Sequence, residues 1–218
     1  MKNYIQIFLK SIILIFFLFL TSCDQKNEGG EKAISENLEN DQKILSLDSI
    51  KRISEGEGRA KISIIAYESL TCGHCADFHK NVYPGLKKDF IDKGLVKIEF
   101  RNFPLDILAV NASVIAQCNN DGKSDIMHIL YSGQKKWAKG TSEEANGYLK
   151  KFLTDEGVKV DFEKCLANKA IEDYVLNDRI EGQKKFKVNA TPTIIINDKK
   201  FEKALNYKNL KKYLEKLI

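Results

Sequence analysis

Two cysteines separated by two residues, in Cys72-Gly73-His74-Cys75, are the residues of this chain best suited to chemistry. They follow an apolar run, Ile62 to Tyr67, and open a segment with helical character. At helical spacing the two sulfurs lie on one face, within bonding range. The first sulfur lies at the start of the helix, where unpaired N–H groups and the positive end of the dipole stabilise a thiolate. The motif therefore predicts a redox-active pair, with Cys72 as nucleophile and Cys75 as resolving thiol.

His74 strengthens this interpretation, because an imidazolium beside the thiolate would lower the pKa of Cys72 and make the disulfide easier to reduce. Taken alone, the motif is also compatible with half of a zinc site or with a structural disulfide. Zinc needs two more ligands, and the chain has no second C-x-x-C and no H-x-x-x-H. His79 could join as a ligand, but a histidine on the exposed part of a helix is more often solvated. We therefore expect no metal.

The first 22 residues have the pattern of an export signal. Lys2 and Lys10 supply positive charge, Ile12 to Leu20 is unbroken apolar sequence, and no acidic residue precedes Asp24. The apolar run is too short for a permanent transmembrane helix. We predict a signal peptide over 1–22, a polar tether over 23–43, and one compact domain over 44–218.

The end of this signal, Leu20-Thr21-Ser22-Cys23, resembles the lipobox of bacterial lipoproteins. By that resemblance the chain is cut before Cys23, which then carries lipid and anchors the protein to a membrane. The alternative is an ordinary cleaved signal with an incidental cysteine. Export places the other four cysteines in a compartment where disulfides persist.

The second pair of cysteines, Cys118 and Cys165, falls in two helical segments far apart in the chain. In an exported protein such a pair is most simply a structural disulfide. The functional alternative is a second redox pair that regulates the first.

The charge of the chain gives little support to nucleic-acid binding. Its formal net charge is +5, and without Lys2 and Lys10 there remain 33 basic and 30 acidic residues, a net charge of +3. The signs are mixed along the chain, and basic runs such as Lys135-Lys136 are short. No stripe of lysine and arginine interleaved with aromatic residues is present.

The apolar pattern predicts an α/β domain. Lys61 to Tyr67 and Leu95 to Phe100 predict two parallel strands joined by a helical crossover. Between about residues 105 and 187 helical periodicity predicts five amphipathic helices, which form an inserted subdomain. The other predicted elements lie at the two ends of the domain. Ile44–Ile53 is predicted as a first short strand or turn, which ends at a break over Glu55–Gly58. Thr193–Ile196 is predicted as a strand with its hairpin partner over Lys200–Lys203, followed by a helix over Asn209–Ile218 with Leu217 facing inward.

A proline stands immediately before the last long strand, in Ala190-Thr191-Pro192-Thr193. One interpretation is a trans proline at the start of a strand. The other is a cis peptide between Thr191 and Pro192, which turns residue 191 towards the cysteine pair. The backbone there could then hydrogen-bond an extended client segment.

Three segments together resemble the DsbA-like thiol:disulfide oxidoreductases, over a region from about residue 45 to the C-terminus. They are Glu68–His79, Arg101–Leu105 and Ala190–Thr193. The resemblance implies a thioredoxin-like fold with an inserted helical subdomain, no cofactor, and oxidation of unfolded exported client proteins through a mixed disulfide at Cys72. It further implies reoxidation by a DsbB-like quinone-linked membrane oxidase. We expect a monomer in the periplasm, membrane-anchored through Cys23.

The chain departs from this family in three places. Ala66 stands where many members have a buried glutamate that accepts the proton of the resolving thiol. Glu68, on the same face of the strand, either substitutes for it or is solvated. Gly73 replaces a proline of the best-known member, and Thr191 is shared with some reductive and isomerising relatives. A disulfide reductase or isomerase, a lipid-anchored binding protein with an inert C-x-x-C, and a thiol-dependent metal carrier therefore remain alternatives.

Overall fold

The structure of the protein is a computed structural model that describes residues 50–119 and 121–218. The predicted signal peptide, Cys23 and the predicted tether lie outside the described residues. The strands in the described part are β1 (Ser54–Glu55), β2 (Ile62–Glu68), β3 (Val96–Asn102), β4 (Thr193–Ile196) and β5 (Lys199–Lys200). The helices there are α1 (Gly73–Asn81), α2 (Tyr83–Leu86), α3 (Ile107–Gln117), α4 (Asp125–Ser132), α5 (Gln134–Trp137), α6 (Ser142–Asp155), α7 (Phe162–Leu166), α8 (Lys169–Phe186) and α9 (Tyr207–Leu214), with a π-helical turn, Lys87–Ile91, directly after α2.

The five strands form one mixed sheet in the order β1-β3-β2-β4-β5. The central strand β2 is parallel to β3, with Ile64 opposite Ile98, and antiparallel to β4, with Ile64 opposite Ile196. These three isoleucines are almost completely buried, as the apolar run predicted. The β-α-β unit is confirmed, and the pairing of β4 with β2 brings the Thr191-Pro192 loop to the edge where β2 ends.

The helices α3 to α8 lie between β3 and β4 in the chain, which confirms the helical insertion. The predicted second helix is two helices, α4 and α5, that meet at Gly133. A Cβ at Gly133 would lie 2.1 Å from the ring of Phe152, so only glycine allows this close packing. Trp137 of α5 is fully buried and belongs to the same apolar core as the sheet isoleucines.

Of the segment predicted as a first short strand or turn, Ile44–Ile53, residues 44–49 lie outside the described residues and residues 50–53 are not in a strand. β1 is Ser54–Glu55, so it begins directly after that segment and includes the first residue of the predicted break, Glu55, which pairs with Ile98 of β3. The carboxylate of Glu55 accepts hydrogen bonds from Ser124 and Tyr83, and these long-range contacts hold an acidic residue in a strand. The break comes one residue later, at Gly56, whose φ is 92°.

The C-terminal elements also differ from the prediction. Asn197 and Asp198 both have positive φ, 47° and 61°, and form a two-residue turn, so β5 begins at Lys199 and is shorter than predicted. The last helix begins at Tyr207, because the side chain of Asn206 accepts a hydrogen bond from the amide of Asn209. It ends at Leu214, and Leu217, predicted to face inward, is 39% exposed.

Candidate active site

The cysteine motif lies where β2 gives way to α1. Cys72 is the N-cap of the helix, with extended backbone angles (φ −78°, ψ 120°), and its carbonyl accepts from the amides of Cys75 and Ala76. The first turn of α1 contains no acidic side chain, so nothing competes for the positive end of the helix. Both cysteines are free thiols in this structure, which therefore shows the reduced pair.

The Cys72 thiol is strongly acidic. Its pKa falls from 9.0 to about 5, first because the Cys75 side chain donates a hydrogen bond to the Cys72 sulfur, and then through Thr191 and the backbone amides of Cys75 and His74. These donors outweigh burial, which acts in the opposite direction. His74 contributes through its backbone amide, and its side chain is exposed. An effect of its imidazolium on Cys72 stays a prediction.

The Cys75 thiol has the opposite character. Its side chain is completely buried, and burial raises its pKa far above the usual value. The hydrogen bond to Cys72 and the negative charge of Glu68 act in the same direction. The two sulfurs of one motif therefore differ widely in acidity, as nucleophile and resolving thiol should.

The loop before β4 completes the site. The peptide bond between Thr191 and Pro192 is cis, and the Cys72 sulfur lies 3.4 Å from the carbonyl oxygen of Thr191. The hydroxyl of Thr193 donates to the carbonyl of Ala190 at 2.7 Å and closes the turn. Thr191 and Pro192 remain partly exposed beside the nucleophile.

Glu68 ends β2 as a buried acid rather than a solvated one. Its Oε2 lies 2.8 Å from Nε2 of His79, and the two side chains are 3% and 5% exposed. The ring of His79 stacks on Tyr131, with centroids 4.0 Å apart and planes 14° from parallel. The expectation that His79 would be solvated is therefore wrong. Cys75, Phe78 and His79 are three and four residues apart and share the buried face of α1.

Gln134 of α5 is a residue of this site that the sequence analysis missed. Its buried amide donates to the carbonyl of Leu70 at 2.8 Å and to that of Cys72 at 2.9 Å. Thr71 in the same loop donates to Asp106, the N-cap of α3, at 2.7 Å. The inserted helices thus hold the loop that presents the nucleophile. The capping position of Asp106 could be recognised from sequence, whereas nothing local distinguishes Gln134.

The sequence model of the family described as thioredoxin matches residues 48–216, which is more than half of the chain. The chain belongs to the thioredoxin family. Among solved structures, this family member is similar to alpha-DsbA1 of Wolbachia pipientis, with 26% identity and a TM-score of 0.67 over 79% of this chain and 95% of that one.

Two curated relatives of this thioredoxin-family chain have names that refer to disulfide chemistry. One, from Rickettsia bellii, is provisionally named a protein-disulfide oxidoreductase and is 27% identical over 76% of this chain and 66% of its own length. The other is disulfide bond formation protein D of Bacillus subtilis, which is 26% identical over 74% of each chain. The chain spans between about half and two thirds of the length of the Rickettsia relatives.

The second cysteine pair of this thioredoxin-family domain, Cys118 at the end of α3 and Cys165 in α7, forms a disulfide. Lipidation of Cys23 concerns a residue outside the described part of the chain. Within residues 50–119 and 121–218, no helix is long and apolar enough to cross a bilayer. The same residues contain no cluster of three or more histidine, cysteine or acidic side chains that could hold a metal ion.

Proposed function

We propose that the protein is a thiol:disulfide oxidoreductase that introduces disulfides into other proteins through Cys72 and Cys75. The observation that carries this proposal is the difference in acidity between the two thiols. A thiolate at Cys72 stabilises the reduced form of the pair, and a stable reduced form makes the disulfide a strong oxidant. The names of the curated relatives, which refer to protein-disulfide oxidation and disulfide bond formation, support the same activity.

The reaction begins from the Cys72–Cys75 disulfide. A thiolate of the client attacks the Cys72 sulfur, a bond forms between the client and Cys72, and the bond between Cys72 and Cys75 breaks. The electron pair stays on Cys75, which takes up a proton because its buried thiolate is unfavourable. A second client thiolate then attacks the client sulfur of the mixed disulfide. The client leaves oxidised and Cys72 leaves as a thiolate, a good leaving group at its low pKa.

The loop at Thr191 and Pro192 supports the way in which a client would bind. The carbonyl of Thr191 lies next to the Cys72 sulfur and the loop is partly exposed, so an extended client segment can hydrogen-bond the backbone there. We propose unfolded exported proteins as clients, and a DsbB-like quinone-linked membrane oxidase as the partner that restores the disulfide. We place a monomer in the periplasm, membrane-anchored by lipid at Cys23, with no nucleic acid and no cofactor.

The test of this function is a trapping experiment. The Cys75→Ala variant, oxidised with a small disulfide and mixed with a reduced unfolded ribonuclease, should accumulate a mixed disulfide between Cys72 and the client. The matched control, Cys72→Ala, keeps one thiol in the same motif and should trap none, because Cys75 is buried. Equal adducts from both variants, or none from either, would contradict the proposal.

The direction of electron flow needs a separate measurement, because the residue before the proline leaves a reductase or isomerase as the alternative. The equilibrium of Cys72–Cys75 with glutathione gives its reduction potential. A reduction potential of about −120 mV, as in strong oxidants, supports the oxidase. A reduction potential of about −270 mV supports a reductase. A pair that resists reduction by mild thiols altogether would favour the inert binding protein.

A further inference from the structure

Two loops flank the end of β2 on opposite sides, because the strand order places β3 on one side of β2 and β4 on the other. β3 is parallel to β2 and β4 is antiparallel to it, so the end of β3 and the start of β4 lie at the edge where β2 ends. Hydrogen bonds follow the same arrangement. The Cys72 sulfur lies 3.4 Å from the carbonyl of Thr191, before β4, whereas the hydroxyl of Thr71 donates to Asp106, after β3, at 2.7 Å.

A cavity of about 330 Å³ opens on the β3 side of this edge. One wall consists of Thr71, the residue before the nucleophile, together with Asp106 and Ile107 at the start of α3. The other wall comes from the inserted helices, at the point where α5 is followed by α6. Pockets for small-molecule ligands begin at about 300 Å³, so this cavity can hold one large side chain.

Large apolar side chains of the segment after β3 are left in solvent. Ile107 lines the cavity and is 61% exposed, and Leu105, on the other side of Asp106 in the chain, is 50% exposed. Phe103 of the same segment is buried, so the segment has an apolar side chain facing the core and two that do not. Exposed apolar surface next to a reactive group is typical of a binding surface.

Hydrogen bonds connect the elements that form the cavity. Asp106 accepts from the hydroxyl of Thr71 and, as the N-cap of α3, from the amide of Ala109 at 2.8 Å. The side chain of Asn111 in α3 donates to that of Asn146 in α6 at 3.0 Å, and both asparagines line the cavity. The cavity is therefore formed before any client binds, which lowers the cost of ordering the protein around a bound side chain.

The lining indicates which kind of side chain fits. Ile107, Leu108 and Ala145 contribute apolar surface, and the amides of Asn111 and Asn146 contribute hydrogen-bonding groups. One lysine and one aspartate also line the cavity, so their charges offset and a neutral side chain is favoured. An apolar body with a polar group at its tip is the composition of tyrosine.

The mixed disulfide determines which molecule can supply that side chain. In the exchange proposed above the client is bonded to the Cys72 sulfur, and an extended chain advances by at most about 3.3–3.6 Å per residue. The residues next to the client cysteine therefore stay beside the nucleophile while the bond exists. On one side of that cysteine the client backbone follows the Thr191 loop, so the residues on its other side extend towards the cavity.

We propose that this cavity is a specificity subsite for an aromatic side chain, tyrosine above all, located within about three residues of the client cysteine. The inference rests on the disulfide exchange proposed above and names the clients that react best. The preference applies to one side of the client cysteine only, because the Thr191 loop and the cavity lie on opposite sides of Cys72.

Competition between peptides tests the subsite. Pairs of unfolded peptides, each with one cysteine and with tyrosine or alanine at a chosen position, are mixed as glutathione disulfides with the Cys75→Ala protein. The Cys72 thiolate attacks the peptide sulfur, and glutathione leaves as a thiolate. Mass spectrometry gives the ratio of the two protein–peptide disulfides, and the same competition with free cysteine corrects for the reactivity of the peptides themselves. We expect tyrosine to be favoured about tenfold, and on one side of the cysteine only.

Two variants in the Cys75→Ala background locate the preference. Ile107→Ser removes apolar surface from one wall, and Asn146→Trp fills the cavity from the other. Each should reduce the preference for tyrosine to within about twofold. The matched control is Ile180→Ser, the same change at an isoleucine of α8 that is 44% exposed and lies outside the cavity. It should keep the full preference, and an equal loss in Ile180→Ser and Ile107→Ser would overturn the subsite.

The outcomes separate the two proposals. If Cys72 forms no mixed disulfide with any peptide, the oxidoreductase function falls. If the disulfides form but tyrosine and alanine peptides compete equally, or if tyrosine is favoured equally on both sides of the cysteine, the function stands and the subsite is wrong.

Discussion

The two cysteine pairs of this domain differ in where each first sulfur lies on its helix. Cys72 caps the N-terminus of α1, where amides point at the sulfur, and Cys118 caps the C-terminus of α3, where the unpaired groups are carbonyls. A thiolate is favoured at the first position and disfavoured at the second. The same residue type is therefore reactive in one place and suited to a lasting bond in the other.

The two pairs also differ in the length of the chain loop that each disulfide closes. The active pair spans one turn of a single helix, so its bond constrains little else in the chain. The bond between Cys118 and Cys165 joins α3 to α7 across a sequence separation of 47 residues. A crosslink of that length removes much more freedom from the unfolded chain. Position on the helix determines reactivity, and sequence separation determines the effect on stability.

The largest expected effect is the acidity of Cys72. In the reduced protein the thiolate should titrate with a pKa of about 5, so thiolate exceeds thiol by roughly a hundredfold at pH 7. Because the folded pKa lies below the unfolded value of 9.0, this thiolate stabilises the reduced fold fully above pH 9, and the contribution is lost as the pH falls through about 5.

Absorbance of the thiolate near 240 nm measures this titration. In the Cys75→Ala variant the Cys72 sulfur loses the hydrogen bond from Cys75, which lowers its pKa most. The pKa of Cys72 should therefore rise towards the usual value. The disulfide between Cys118 and Cys165 contributes no thiolate and serves as an internal blank. A titration midpoint of Cys72 near pH 9 in the wild-type protein would show an ordinary thiol, and would remove the difference in reactivity between the two cysteine pairs.

Removing the second disulfide should have the next largest effect, on stability rather than on chemistry. The double variant Cys118→Ala, Cys165→Ala should lose about 2–5 kcal/mol of unfolding free energy, because it loses the closure of a long loop. Urea unfolding followed by circular dichroism measures it. The reduction potential of Cys72–Cys75 in this variant should match that of the wild type. A changed potential would instead favour the alternative that the second pair regulates the first.

Two buried glutamines allow a finer comparison, since one lies beside each pair. Gln134→Leu removes both hydrogen bonds to the active-site loop and leaves the carbonyls of Leu70 and Cys72 without that donor. It should cost about 1–3 kcal/mol in urea unfolding and slow disulfide exchange. Gln117→Leu is the matched change next to Cys118, where the amide nitrogen already has no partner. It should cost less and leave exchange unchanged, and an equal loss of exchange in both variants would contradict a specific role for Gln134.

The sequence predicted those parts of the site that depend on local pattern. The apolar run of β2, the cysteine spacing on α1 and the proline before β4 each identify an element and its position. The hydrogen bonds of Gln134 with Leu70 and of Glu55 with Ser124 each span more than 60 residues, and no local pattern records them. His79 was misjudged for a related reason. Its exposure depends on the packing of α4 against α1, and a polar residue there is buried only because Glu68 and Tyr131 receive it.

The smallest expected effect concerns Gly73, the first residue of α1. A Cβ at this position would meet no atom within 4 Å, and its φ lies outside the left-handed region, so alanine fits without strain. Gly73→Ala should therefore stabilise the domain by about 0.4–1 kcal/mol, because it lowers the entropy of the unfolded chain. Urea unfolding of the oxidised and reduced forms measures the effect, which should be equal in both if it arises in the unfolded chain. A gain in stability confined to the reduced form would mean that the flexibility of Gly73 instead changes the reduction potential of Cys72–Cys75. The active pair would then differ in this respect from the disulfide between Cys118 and Cys165, whose two helices fix its geometry.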